Sequence, residues 1–256
     1  PAWKIAPALV SGNCVIFKPA SLVPALAVAL VKAFEDAGLP PGVLNLVLGA
    51  GSAMGDTLVE DPRIKAVSFT GSNEIGVRIH TICGARGIPV VCEMGGKNPA
   101  VIWDDADLEL ALGGVMKGAF GETGQRCTAT SRLILHDAIA DKFLKMLLAE
   151  VAKIKVGNGL DKATGMGPAV DESQLKTNLE YIEIGKKEGA KLLCGGNRLT
   201  TGEYAHGYFV EPTIFDNVNP RSRLWQEEVF GPVLAVARTN DFDKAVELAN
   251  DSPFGL

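Results

Sequence analysis

The sequence predicts an α/β protein, and three observations carry that prediction. Short apolar, β-branched runs alternate with stretches of helical periodicity. Glycine-rich turns follow several of the runs. The 256 residues are 47% hydrophobic, enough for the core of one large or two medium domains.

In chain order, 14–18 (CVIFK) reads as a strand and 21–37 as a helix ended by Gly38. Residues 43–48 form a strand that leads through a glycine turn into a short helix ending at Glu60. Residues 66–70 are a strand, 72–84 a helix and 89–94 a strand. This alternation predicts a parallel sheet with helices on both faces. The run Gly95-Gly96-Lys97-Asn98-Pro99 interrupts the pattern and sets a domain boundary between 1–95 and 96–256. A second α/β series follows, with strands at 100–103 and 132–136 and helices at 108–120 and 138–156. A Gly-rich connection over 157–170 leads to a helix at 173–188, a strand at 191–194, β-runs near 208–212 and 233–238, and a helix over 241–250.

Charge and composition exclude several classes. The net charge of −5 is spread without a basic block, which argues against a nucleic-acid partner. No apolar run reaches the roughly 20 residues of a membrane span, and no targeting segment is visible. The five cysteines, Cys14, Cys83, Cys92, Cys127 and Cys194, form no CxxC pair and no metal-ligand spacing with the three histidines. No metal site is expected, and a scattered odd set points to a reducing, cytoplasmic setting.

Two loops compete for a dinucleotide. Gly49-Ala50-Gly51-Ser52-Ala53-Met54-Gly55 follows a strand and opens a helix, approximating the Rossmann fingerprint with its last spacing one residue too long. The alternative is a tight βα turn. Phe69-Thr70-Gly71-Ser72 also feeds a helix, whose free N–H groups suit a pyrophosphate; here the alternative is an ordinary Ser72 N-cap. Lys18-Pro19-Ala20-Ser21 ends the first strand, where ligands of open parallel sheets sit. Lys18 can hold ribose hydroxyls or phosphate, or be a solvated lysine. These features make the first domain a Rossmann-like open parallel sheet.

The chemistry lies in Glu122-Thr123-Gly124-Gln125-Arg126-Cys127-Thr128, taken with Glu93-Met94-Gly95-Gly96-Lys97. A small-residue loop delivers a thiol, and a carboxylate closes an apolar strand. Together they suit covalent thiol chemistry followed by hydrolysis. The alternatives are a buried structural cysteine and a surface carboxylate. The other four cysteines lie in or beside apolar runs and read as structural.

In order, PAWKIAPAL, KPAS, GLPPGVLNLV, FTGSNEIG, EMGGKNP, GQRC, GYFVEPTIFDNV and EEVFGPV resemble the motifs of the aldehyde dehydrogenase superfamily, at family spacing over all 256 residues. The resemblance implies that residues 1–95 are the C-terminal part of an NAD(P)-binding domain and 96–256 a catalytic domain incomplete at its C-terminus. It implies Cys127 as nucleophile, Glu93 as general base and Lys4 as an aid to proton release. Lys18, Pro19, Ala20, Ser21, Gly51, Gly71, Ser72 and Met94 would meet NAD or NADP, with Glu228 and Phe230 at the nicotinamide ribose and ring.

The resemblance further implies segments beyond both ends, an oxyanion-hole asparagine upstream of Pro1, and a homodimer or homotetramer of the full-length protein. This chain alone is therefore expected to be weak or inactive. Glu93 favours a carboxylic acid as product over acyl transfer to coenzyme A. Ser21 stands where NAD-preferring relatives often carry glutamate, which admits NADP; a helix N-cap is its other role. Arg126 either meets an anionic substrate tail or braces its loop. Relatives with Gly-Gln-Arg-Cys include enzymes of carboxylated semialdehydes such as 2,5-dioxopentanoate. Two other readings stay open: a catalytically incompetent dinucleotide-binding fragment, and a cysteine-dependent hydrolase.

Overall fold

A computed structural model describes residues 1–255. Its contacts divide the chain into two compact units, Pro1–Met94 and Gly95 onward. Both are α/β with parallel-rich pairing.

In the first unit the elements are α1 (Ala2–Val10), β1 (Val15–Phe17), α2 (Pro24–Asp36), β2 (Leu44–Leu46), α3 (Gly51–Glu60), β3 (Val67–Thr70), α4 (Asn73–Arg86) and β4 (Val90–Glu93). β1 pairs parallel with β2, and β3 parallel with β4, as two separate ladders rather than one continuous sheet. The apolar start of the chain, left unassigned in the sequence, is the helix α1 despite Pro7 inside it. α2 begins three residues later than its periodicity suggests. Pro24 sits at its first turn, where a fixed φ and a missing N–H do no harm, and a residue preceding proline resists the helical conformation. Ser21 is therefore not the helix N-cap; Val23 is. Arg86, in the last turn of α4, donates to the carbonyls of Val59, Asp61 and Ile64 and so ties the end of α3 to α4.

In the second unit the elements are β5 (Asn98–Ile102), α5 (Leu108–Phe120), β6 (Thr130–His136), α6 (Asp137–Val151), α7 (Glu172–Lys187), β7 (Lys191–Cys194), β8 (Thr213–Asp216), α8 (Arg223–Gln226), β9 (Val233–Thr239) and α9 (Phe242–Asn250). The sheet order is β5-β6-β9-β8-β7, parallel except for the edge strand β7, which runs antiparallel to β8. Successive residues of its central strands face opposite cores. Leu133, Leu135, Leu234 and Val236 join one core with Phe120, Phe143 and Leu147 of α5 and α6. Ile134, Val233, Ala235 and Ala237 join the other with Ile182, Leu224, Trp225 and Leu248 of α7, α8 and α9. Strands buried on both faces explain why these runs read as continuous apolar stretches.

Several boundaries differ from the sequence expectation: β5 starts at Asn98 rather than 100, β6 at Thr130 rather than 132, and two changes are larger. The helix expected over 138–156 ends at Val151; Val156 is buried and forms a lone bridge to Met166 instead. The β-run expected at 208–212 is not a strand but contributes one bridge, Val210 to Arg198. The strand starts after Pro212, which has no N–H to give a ladder, and Thr213–Asp216 are all buried between β9 and β7.

The polar centre of this unit is Arg132, 1% exposed on β6. Its Nε donates to the Lys97 carbonyl at 2.7 Å, and its terminal nitrogens donate to the carbonyls of Leu248, Ala249 and Asp251 at 2.7–3.3 Å. The guanidinium also lies 5.3 Å from the Trp225 ring centre. It thereby satisfies the otherwise open carbonyls at the end of α9. Removing one partner of such a buried network leaves the rest unsatisfied. Arg132→Ala is expected to lower unfolding stability by about 3–5 kcal/mol, read as a fall in the urea midpoint.

Candidate active site

In the first unit the predicted residues gather at the carboxyl ends of two strand pairs. Lys18 to Ser21 follow β1, and Gly49 to Gly51 follow β2. The two loops line one cavity of about 370 Å³, walled by Pro19, Ala20, Ser21, Pro24, Leu48, Gly49 and Ala50. Its size falls within the ordinary range for small-molecule sites. Ser21 Oγ donates to the Gly49 carbonyl at 3.5 Å, joining the loops. Lys18 Nζ donates to the Pro19 carbonyl at 2.7 Å. Gly51 is the first residue of α3, whose N-cap Ala50 carries only a methyl group and so offers no side-chain acceptor to the first N–H groups of the helix. That open helix start beside a cavity fits an anionic, nucleotide-like group.

The second strand pair carries the rest. Gly71 donates its N–H to the Glu93 carbonyl at 3.1 Å, just beyond the register pair Thr70 and Glu93. A Cβ on Gly71 would overlap the Phe69 ring, and one on Gly76 would overlap Met94. Ser72 caps α4, accepting from Ile75 N–H at 3.5 Å. Its hydroxyl is thus an N-cap, and the helix start beside it keeps the further N–H groups of its first turn. Lys4 Nζ donates to Ser68 Oγ of β3 at 3.1 Å. The Glu93 side chain is exposed at the end of β4.

In the second unit the Cys127 loop has an unusual backbone. Glu122 (φ 53°), Thr123 (φ 60°) and Gly124 (φ 66°) are consecutively left-handed, a conformation that non-glycine residues rarely adopt. Tertiary contacts hold it there. Thr123 Oγ1 donates to the Gly167 carbonyl at 3.1 Å. Gln125 accepts from Val170 N–H at 2.8 Å and donates to the Pro168 carbonyl at 3.3 Å. Gly124 packs against the Gly231 backbone so closely that a Cβ would overlap the Gly231 carbonyl. That contact brings the cysteine loop beside the segment carrying Glu228 and Phe230.

Downstream, Asn98 donates to the Cys127 carbonyl at 2.7 Å and to the Ala129 carbonyl at 2.9 Å. The Cys127 side chain is exposed on this braced loop. Burial raises the thiol pKa of Cys83 and Cys92 and pushes Cys194 up to about 11, which keeps them protonated and inert. Cys14, expected to be structural, is exposed at the start of the first strand. Arg126 pairs with Glu122 across 3.2 Å.

Glu228 and Phe230 frame a second feature. Glu228 accepts from Gly96 N–H at 3.1 Å, and a Cβ on Gly95 would overlap its carboxylate. Burial raises its pKa. Phe230 is left-handed (φ 55°) and partly exposed. Gln174 supports this turn, donating to the Val229 carbonyl and to Asn178 Oδ1, both at 2.9 Å.

Sequence reasoning missed Thr123, Gln125, Asn98, Lys97, Arg132 and Gln174 as parts of the site's framework. For Gln125 and Asn98, adjacency to the motifs was the available signal; for Arg132 and Gln174 there was none. Among the described residues no helix is long and apolar enough to cross a membrane, and no cluster of histidine, cysteine and carboxylate residues could hold a metal ion.

A family profile described as "Aldehyde dehydrogenase family" matches residues 1–256. Over 256 residues the chain is 48% identical to an alpha-ketoglutaric semialdehyde dehydrogenase of Bacillus subtilis (strain 168), covering 100% of this chain and 52% of that protein. It is also 48% identical over 257 residues to a 2,5-dioxopentanoate dehydrogenase of Saccharolobus solfataricus, covering 100% of this chain and 53% of that protein. A betaine aldehyde dehydrogenase from Staphylococcus aureus, crystallised in complex with NAD+, superposes with a TM-score of 0.97 at 40% identity, over 100% of this chain and 51% of that chain. The chain therefore spans about half the length of these relatives.

The brace on the cysteine loop is testable. Gly124→Ala meets both a left-handed φ and the Gly231 carbonyl, so a loss of about 2 kcal/mol or more is expected in urea unfolding. Gly113→Ala, in open space on α5, is expected to be neutral or stabilising by up to ~1 kcal/mol.

Proposed function

This chain belongs to the aldehyde dehydrogenase family, and from that premise we propose that the whole protein oxidises an aldehyde to a carboxylic acid with NAD or NADP. The observation that carries the reading is the Cys127 loop: an exposed thiol on a left-handed turn held by Thr123, Gln125 and Asn98. A buried structural cysteine needs no such presentation. Glu93 takes the Cys127 thiol proton and later releases it, and the thiolate sulfur adds to the aldehyde carbon, forming a C–S bond as the carbonyl π pair moves onto oxygen. The Cys127 backbone N–H stabilises that oxygen. NAD or NADP, when bound, supplies the hydride acceptor that lets the adduct become a thioester on Cys127. Glu93 takes a proton from water, which adds to the thioester carbon and displaces the Cys127 thiolate. Lys4 assists release of that proton.

Lys18, Pro19, Ala20, Ser21, Gly51, Gly71, Ser72 and Met94 would hold the dinucleotide in the first unit, and Glu228 and Phe230 in the second. The cavity between the Lys18 and Gly49 loops and the open start of α3 support this assignment. Ser21 offers a ribose a hydroxyl but no negative charge, so a 2′-phosphate meets no repulsion there. The substrate we favour is a carboxylated semialdehyde such as 2,5-dioxopentanoate, on the strength of the Bacillus and Saccharolobus relatives' names. Arg126 would be the counter-charge for its carboxylate once released from Glu122. The five free cysteines suit a cytoplasmic protein, and the family resemblance suits a homodimer or homotetramer.

Mixing the whole protein with NAD or NADP and a panel of 2,5-dioxopentanoate, succinic semialdehyde and propanal, and following reduced-nicotinamide absorbance, tests the reading. Steady production that vanishes in Cys127→Ala is expected. Silence with every aldehyde in a protein that still binds dinucleotide would overturn the catalytic part. Glu93→Gln is expected to lower turnover ~10²–10⁴-fold while leaving a first burst of reduced cofactor. Ser21→Glu is expected to weaken NADP relative to NAD by about tenfold or more, one charge repulsion in partly exposed surroundings being worth about 1–2 kcal/mol, as read from KM for each.

A further inference from the structure

Lys97 is fully enclosed, and its Nζ meets no hydrogen-bond acceptor among the described residues. Cores exclude an ammonium in that state unless a nearby charge compensates it. The charges that act on it through space are, in order of strength, Arg132, Glu228 and Glu227. Arg132 is already committed to the carbonyls of Lys97, Leu248, Ala249 and Asp251. Glu227 is committed as well, accepting from Arg223 at 2.9–3.0 Å and from the Tyr181 hydroxyl at 2.5 Å. Glu228 remains. Its carboxylate lies against Gly95, where any Cβ would overlap it, and accepts from Gly96 N–H, the peptide beside Lys97.

We propose that Lys97 is a positioning residue for Glu228: Gly95, the Gly96 N–H and the buried Lys97 ammonium form a cradle that keeps the Glu228 carboxylate ionised and aimed to accept hydroxyls of a polyol, the ribose of a nicotinamide dinucleotide. This rests on the cofactor reading above. Three consecutive residues then serve one carboxylate, the first by lacking a side chain, the second by its backbone and the third by its charge. The fold itself does not need that charge, because an apolar side chain of similar length fills the same space without the desolvation penalty. Keeping it sacrifices stability for a preorganised acceptor.

Titration follows from the same geometry. Burial first, and Arg132 second, hold the Lys97 pKa down to about 7, against the pull of Glu228 and Glu227. A lysine lowered by folding destabilises the fold most below its folded pKa, and the penalty lifts as pH rises from about 7 toward the ordinary lysine value. Its help to Glu228 runs the other way, present below pH 7 and lost above it.

The test is direct binding of NAD and NADP to the whole protein by titration calorimetry, without aldehyde, in the unmutated protein, Lys97→Met, Glu228→Gln and the double variant, with urea unfolding alongside. At pH 6.5, Lys97→Met should weaken binding at least tenfold while raising the urea midpoint. The unmutated protein should lose affinity as pH rises from 6 to 8.5, and Lys97→Met should not. In the Glu228→Gln background, Lys97→Met should weaken binding no further. Binding within twofold of the unmutated protein with the same pH profile, or an undiminished effect of Lys97→Met in the Glu228→Gln background, overturns the proposal alone. A urea midpoint that falls together with binding also overturns it, marking Lys97 as structural. No binding of either dinucleotide by the unmutated protein overturns the cofactor reading, and this proposal with it.

Discussion

The second unit depends on one buried cation. Arg132 lies on β6, an interior strand of the sheet, and gathers carbonyls from the residue before β5 and from the end of α9. A guanidinium with donors in a fixed fork is suited to this, since it meets several carbonyls at once that would otherwise be buried and unsatisfied. By holding the Lys97 carbonyl it also sets where the chain enters β5. The next residue, Asn98, holds the Cys127 and Ala129 carbonyls. One side chain in the core therefore anchors a path that ends at the candidate nucleophile, and the buried Trp225 ring lies against its guanidinium.

The cysteine loop shows how strain and small residues work together. A left-handed turn through Glu122 and Thr123 is unfavourable by itself, so it persists only because its surroundings specify it. The specification comes from the Gly167–Val170 connection on one side and Gly231 on the other. Glycine is required at Gly124 because the Gly231 backbone approaches it, and at Gly231 because Asn178 does. The polar connection after α6, which carries no regular element of its own, is thus a brace for the site.

Much of this was legible along the chain. The helix 108–120 and the strand 191–194 were marked by periodicity and flanking breakers, and both begin and end where expected. Ser72 as the cap of α4 follows from a local rule. The misses have physical causes. Proline moved the start of α2, and Pro212 delayed β8. Val156 kept a helical apolar period but was claimed by the core through a bridge to Met166.

The sequence by itself determined the alternating α/β order, the strands buried on both faces, and the small-residue loops that present a thiol and close a strand on a carboxylate. These are properties of neighbours a few residues apart, and periodicity, caps and turn chemistry report on such neighbours. Only the tertiary structure decided that Arg132 and Lys97 are core residues, that Gln125 clasps a loop 45 residues away, and that β7 runs antiparallel at the edge. A charged residue in a sequence looks like surface until its partners are known. Those of Arg132 lie up to 119 residues away, a separation at which no local pattern records that the chain will return.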